Sequence, residues 1–280
     1  MGKESGGDFA EVLGEAFFCE RKAELEQRVS KKRFTHVMGV VEEAEILARA
    51  YGVDVHEARL AGLLHDWDKA YDDEEIRERA RELGLQVNPW ILEHQPRLLH
   101  GPTAAAALGR RFPAIPAGIL QAIERHTTGE IDMTPLDMVL YCADALEPNR
   151  RFGRVDELRA QIGRVTLEEL YVAVLGYWTI LIIEQGKTLH PRTVEIWNAY
   201  AVKNEKKATD ILVQDVAELV GETDFFVIVT ASNSRQVNSI VDAIKEDLRD
   251  KGGVKPFHIE GTQDGSWSLL DYGQIVVHVF

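Results

Sequence analysis

The chain has 280 residues, 45% hydrophobic and 28% charged, with a formal net charge of −14. That length favours two domains over one, and the composition excludes a disordered or fibrous chain. The acidic balance disfavours loose binding to phosphate backbones, DNA included, so an anionic ligand needs a local site built from metal or placed arginines. Cys19 and Cys142 lie far apart with no metal-type spacing, which favours a reduced, cytoplasmic setting. No basic stretch followed by an apolar run opens the sequence, so no signal peptide is expected. The apolar run 171–183 is too short to span a bilayer and reads as a buried helix.

Residues 1–30 are polar and mixed, with apolar positions at Phe9, Val12, Leu13, Phe17 and Phe18. They suit either a helix packed on the body or a partly ordered arm. From Phe34 the pattern sharpens. Val37, Val40, Val41, Ala44, Leu47, Ala48 and Tyr51 form one amphipathic stripe that Gly52 ends, with His36 at its start. A second helix is expected from Val55, carrying the stretch AGLLHDWDK (61–69) with His65 and Asp66 on a small-residue face. A charged helix from Glu74 to Leu83, a short one opened by Asn88 and Pro89, and an alanine-rich one from His100 to Arg111 follow. Ile119, Ala122, Ile123 and His126 repeat the helical spacing. Leu136, Val139, Leu140, Ala143 and Asp144 share a face of a helix from Pro135. Helices near 155–162 and 167–183, and one from Pro191 past Tyr200, complete an all-α region over 31–201.

Residues 202–208 are lysine-rich and polar and suit a linker. Beyond them, 209–280 alternates as a small α/β domain. Strands are expected near 210–216, 224–230, 257–260, 267–271 and 274–280, with one helix capped by Asn233 and ending near Gly252. The fold class is therefore multidomain: an all-α helical bundle, then an α/β domain with a mixed sheet.

His36, His65, Asp66, His126 and Asp144 sit on or beside apolar helical faces, and His100 opens a helix. One buried histidine is more often structural than a ligand. Four histidines and two aspartates from separate helices would make a costly core unless they shared a metal. His56, His94, His190, His258 and His278 are weaker candidates.

RFTHV, GLLHDWDK, LLHG, ERHTTG, YCADALEPNRR and LHPRT, in that order, resemble the motifs of HD-domain hydrolases of the YqeK type. That resemblance implies symmetrical cleavage of diadenosine tetraphosphate into two ADP. It implies a dinuclear centre, iron favoured with manganese or zinc as substitutes and divalent or mixed-valent ions allowed. The ligands would be His36, His65, Asp66, His100, His126 and Asp144, with Asp66 bridging. Such a cation pair lowers the pKa of a water from 15.7 towards about 7. Asp66 and Lys69, one turn apart, are the catalytic candidates. Lys69, Thr127, Thr128, Arg150 and Arg151 are the candidates for holding phosphates, against the plainer reading of the two arginines as a helix-end charge pair.

TDFFVIVTASNSRQV, EGTQDGSW and LLDYGQIVVHVF resemble the ribosomal silencing factor family, RsfS or Iojap. The resemblance implies docking on a protein of the large ribosomal subunit at the subunit-joining face, by a surface that includes Trp267, Asp271 and Tyr272. Trp267 and Tyr272 are expected to flank the turn between the last two strands. The family pattern continues past HVF into an aromatic and acidic tail, where this sequence ends at Phe280. The whole reads as a fusion of hydrolase and ribosome-docking module, with no membrane partner and with homodimerisation left open. Its rivals are an HD phosphohydrolase for another nucleotide, a di-iron oxygenase on the same scaffold, and a ribosome regulator whose HD half only senses nucleotide.

Overall fold

The computed structural model describes residues 11–203, 211–217, 223–231, 234–261 and 265–280. The chain divides into two compact units, 1–190 and 191–280.

In the first unit, α1 spans Glu15–Arg28, α2 Lys31–Tyr51, α3 Val55–Leu64, α4 Asp73–Glu82 and α5 Pro89–His94. After a 3-10 turn at Pro96–Leu99 come α6 His100–Arg111, α7 Ala117–Arg125, α8 Pro135–Leu146, α9 Val155–Arg159 and α10 Leu167–Glu184. The caps explain the boundaries. Ser30 accepts the Arg33 N–H at the start of α2, and Gly52 ends that helix at φ 71°, a conformation glycine adopts freely. Asp54 caps α3, and Thr134 with Asp137 forms a reciprocal capping box on α8. Within residues 1–30, α1 is a helix with Phe18 and Leu25 buried on one side, while Phe9 lies outside the described residues.

The apolar stripe of α2 packs against α3 and α8, α7 against α6 and α8, and α10 against α8. Val37, Val40, Ala44, Leu47, Ala61, Leu64, Ala122, Ile123, Val139 and Ala143 are all fully buried. A Cβ on Gly62 would stand 3.2 Å from the Val41 Cα, so this glycine sets how closely α3 approaches α2. Two helices stop earlier than their stripes suggest. The helix expected to carry His65 and Asp66 ends at Leu64, and α7 ends at Arg125. His65 and His126 are therefore the first residues past the ends of their helices, and each turns its Nδ1 back onto a carbonyl of the last turn.

In the second unit, α11 spans Pro191–Lys203, β1 Ile211–Asp215, β2 Phe225–Val229, α12 Ser234–Gly252, β3 His258–Gly261, β4 Ser268–Asp271 and β5 Ile275–Val279. Val202 and Lys203 of the expected linker lie in α11. The rest of that stretch, and the Asn233 cap, fall outside the described residues. The sheet order is β1-β2-β5-β4-β3, parallel only between β2 and β5. Val229, Leu270, Val277 and Val279 bury against Val237 and Val241 of α12. By alternation, Trp267, Leu269, Asp271, Val276, His278 and Phe280 point to the other face. Among the described residues no helix is long and apolar enough to cross a membrane.

Candidate metal centre

Each of the four motif histidines has its Nδ1 anchored. His65 Nδ1 lies 2.7 Å from the Gly62 carbonyl, His100 Nδ1 2.6 Å from that of Arg97, and His126 Nδ1 2.6 Å from that of Ile123. A carbonyl oxygen only accepts, so each Nδ1 carries the hydrogen and Nε2 is left with its lone pair. His36 Nδ1 lies 3.1 Å from Glu147 Oε1, the carboxylate version of the same anchor. Orienting a metal-binding imidazole through its far nitrogen is the usual outer support of such sites.

The freed Nε2 atoms converge with two carboxylates. His36 Nε2 is 3.0 Å from Asp144 Oδ1 and 3.9 Å from Asp66 Oδ2. His65 Nε2 is 3.4 Å from Asp66 Oδ2. The other oxygen, Asp66 Oδ1, faces His100 Nε2 at 3.1 Å and His126 Nε2 at 3.9 Å. His100 and His126 bring their Nε2 atoms within 3.0 Å of each other. Asp66 thus divides its two oxygens between two pairs of imidazoles. His65, Asp66, His100 and His126 are all at least 97% buried.

This donor set fits metal ions. His36 Nε2 and His65 Nε2 are buried without a hydrogen-bond partner. Acceptors facing acceptors at about 3 Å need positive charge between them, and bonds of about 2.1 Å to a first-row ion give ligand edges of that size. His36, His65 and Asp144 form one group that could hold an ion, and His65, Asp66 and His126 another. The same pull acts on protons. Where a proton takes the place of an ion, burial would still raise Asp66, but positive charge on His65 and a hydrogen bond from His100 outweigh it and hold the carboxyl well below its usual range. Asp144 is held down in the same way by His36, His65 and Arg150 against its burial. Burial, reinforced by its histidine neighbours, pushes His126 well down and favours the neutral imidazole.

Cations rim the cluster. The Lys69 ammonium lies 3.1 Å from His100 Nε2 and 4.0 Å from Asp66 Oδ1. Burial lowers its pKa. At the other end Arg150 holds Asp144 Oδ1 at 2.8 Å. Arg33 holds Asp66 Oδ2 at 2.8 Å. Neither Arg33 nor Glu147 stood out in the sequence. The available signal was spacing, since Arg33 lies three residues before His36 and Glu147 three after Asp144.

The remaining expected residues go elsewhere. Arg151 is exposed and bonds the Pro148 and Arg150 carbonyls, beside a surface cavity with Glu43, Asp156 and Arg159. Thr128 lines a different cavity of about 500 Å³ between α6 and α7 that contains none of the six cluster residues. The Thr127 hydroxyl is buried without a hydrogen-bond partner. In the second unit, Trp267 lies at the far end of β4 from the turn it was expected to flank. Its ring stands 6.2 Å from that of His278 and 6.5 Å from that of Phe280. Asp271 accepts the Gly273 N–H inside the turn, and Tyr272 packs against the core with its hydroxyl buried.

Residues 33–149 match the family model of the HD domain, and residues 190–280 that of the ribosomal silencing factor during starvation. The symmetrical bis(5'-nucleosyl)-tetraphosphatase of Bacillus subtilis (strain 168) is 32% identical over 180 residues, 64% of this chain and 95% of that protein. The ribosomal silencing factor RsfS of the same organism is 37% identical over 82 residues, 29% of this chain and 69% of that protein. A crystal structure of an HD superfamily hydrolase from Clostridium acetobutylicum superposes with a TM-score of 0.63 at 31% identity, covering 66% of this chain and 97% of that one.

Proposed function

This chain belongs through its N-terminal part to the HD-domain family of symmetrical bis(5'-nucleosyl)-tetraphosphatases and through its C-terminal part to the ribosomal silencing factors, and on that premise we propose that it cuts diadenosine tetraphosphate into two ADP at a two-metal centre and docks on the large ribosomal subunit. The hydrolase reading rests on one observation above the others. The cluster runs as a row, from Asp144 and His36 through His65 and Asp66 to His126 and His100, with a cation at each end.

His36, His65, Asp66, His100, His126 and Asp144 would hold the ions, with Asp66 shared because its two oxygens serve different imidazoles. A donor set of nitrogen and oxygen without thiolate suits iron, manganese or zinc, and we favour iron. When bound, such ions supply Lewis acidity to phosphoryl oxygens and a water whose pKa falls towards about 7. The chain's own residues do the rest. Arg150 and Lys69 mark the two ends of the row, where the outer phosphates of a tetraphosphate bridge extend either way from the central bond. Arg33 stands between them. These cations neutralise phosphate charge as it builds in the transition state. A scissile bond held centrally between matching phosphate arms is what makes the products equal.

For the C-terminal domain we propose docking through the face opposite α12, where the Trp267, His278 and Phe280 rings lie together. The hydrolase reading is tested by separating the nucleotides released from diadenosine tetraphosphate. ADP alone is expected, carrying one labelled oxygen per cleavage in oxygen-18 water. ATP together with AMP would mean an asymmetric cut and would overturn it.

A further inference from the structure

Outside the cluster, the structure gathers three large, partly exposed aromatic rings at one edge of the site. Phe152 lies in the segment after α8, the helix that carries Asp144. Tyr177 and Trp178 lie on α10. Phe152 stacks on Tyr177 with centroids 4.7 Å apart and planes 24° apart, and Trp178 is tilted 5.4 Å from Phe152. The buried residues of α10 end at Gly176, one residue before this pair. All three residues are partly exposed. Aromatic side chains of this size cost hydrophobic free energy when left partly in water.

Their position is tied to the site by Arg150. Its Nη2 bonds Asp144 Oδ1 at 2.8 Å, and its guanidinium carbon lies 5.9 Å from the centre of the Trp178 ring. The rings therefore begin one arginine side chain away from a carboxylate of the cluster. A nucleotide has the same order of parts: phosphate, a sugar spacer, then a flat base. We propose that Phe152, Tyr177 and Trp178 form a base-binding shelf that takes a purine ring of the bound nucleotide by stacking, while Arg150 holds the adjoining phosphate. The inference rests on the nucleotide-hydrolase reading and adds to it the part of the substrate that phosphate contacts cannot read. Stacking accepts any purine face, because it needs no hydrogen-bond pattern. The shelf thus takes guanine as well as adenine.

The test is calorimetric binding to the full chain loaded with manganese, with ADP and inorganic pyrophosphate as separate probes. Trp178→Ala is expected to weaken ADP about 10-fold while pyrophosphate stays within about twofold, and Trp178→Phe to keep most ADP affinity, since a phenyl face still stacks. Pyrophosphate reports on the phosphate end, so it also shows that the variant is folded. Equal loss for both probes would mean that Trp178 only supports Arg150 and the loop, and would overturn the shelf. Unchanged ADP binding would overturn it too. Symmetrical cleavage by the unaltered protein is scored separately. If that cleavage fails while ADP binding still depends on Trp178, the hydrolase reading falls and the shelf stands.

Discussion

In His36, His65, His100 and His126 the Nδ1 is anchored and the Nε2 is turned toward a carboxylate or another imidazole. His94 and His258, by contrast, have side chains about half or more exposed beside surface glutamates. The six ligand candidates were legible because histidine and aspartate at helical spacing on apolar faces are conspicuous. Glu147 was not, because its role depends on Gly39, more than one hundred residues away in sequence. A Cβ on Gly39 would stand within clashing distance of Glu147 Oε2, so the missing side chain makes room for the carboxylate that orients His36. Glu147→Gln should therefore weaken metal binding by about 10- to 100-fold in competition with a chelator, without loss of fold. Unchanged affinity would remove Glu147 from the site. Glu43 is a second buried carboxyl that sequence spacing left unmarked. Burial raises its pKa from 4.5 to about 7. The folded protein then holds a proton that the unfolded chain releases, so this group's contribution falls as pH rises from 4.5 to 7 and levels off above. Glu43→Gln should gain on the wild type across that window, approaching about 3 kcal/mol by pH 8 in denaturant titrations. A constant difference from pH 4.5 to 8 would contradict the assignment.

At the scale of elements, the helices were readable from stripes and caps, and their ends were less so. His65 and His126 each follow a helix rather than lie within one, and periodicity cannot show this, since both still bond the preceding turn. Thr128, a candidate for holding phosphate, lies in the turn after α7 and lines the cavity between α6 and α7 instead. The pairing of α6 with α7 depends on Gly101. A Cβ there would stand 2.8 Å from the Ile123 carbonyl oxygen and 3.2 Å from His126 Cε1. Gly101→Ala should push the two helices apart and separate His100 from His126. The expected cost is about 1–3 kcal/mol of stability, together with loss of one metal ion per chain. Both are read by thermal unfolding and elemental analysis on one preparation. Full metal content with wild-type stability would show that the contact is not tight.

At the scale of the whole molecule, the change from helical to alternating periodicity near residue 209 marked two fold classes in one chain, and the structure has both. Which face of the second unit's sheet meets α12 was not legible, because both faces of β4 and β5 carry apolar residues. Trp267 and Tyr272 consequently separate in role. Trp267→Ala should reduce cosedimentation with large ribosomal subunits by on the order of 2 kcal/mol if it anchors the contact. Tyr272→Ala should instead lower the domain's unfolding temperature, because its ring packs on the core. Equal ribosome binding by the Trp267 variant and the unaltered chain would move the docking surface elsewhere. The claim on which the rest depends is that Asp66 joins two imidazole pairs into a site for two ions. Elemental analysis of the full chain, purified without added metal, tests it most directly. Two ions per chain, iron foremost, is the expected result, and a chain that never holds more than one would contradict it.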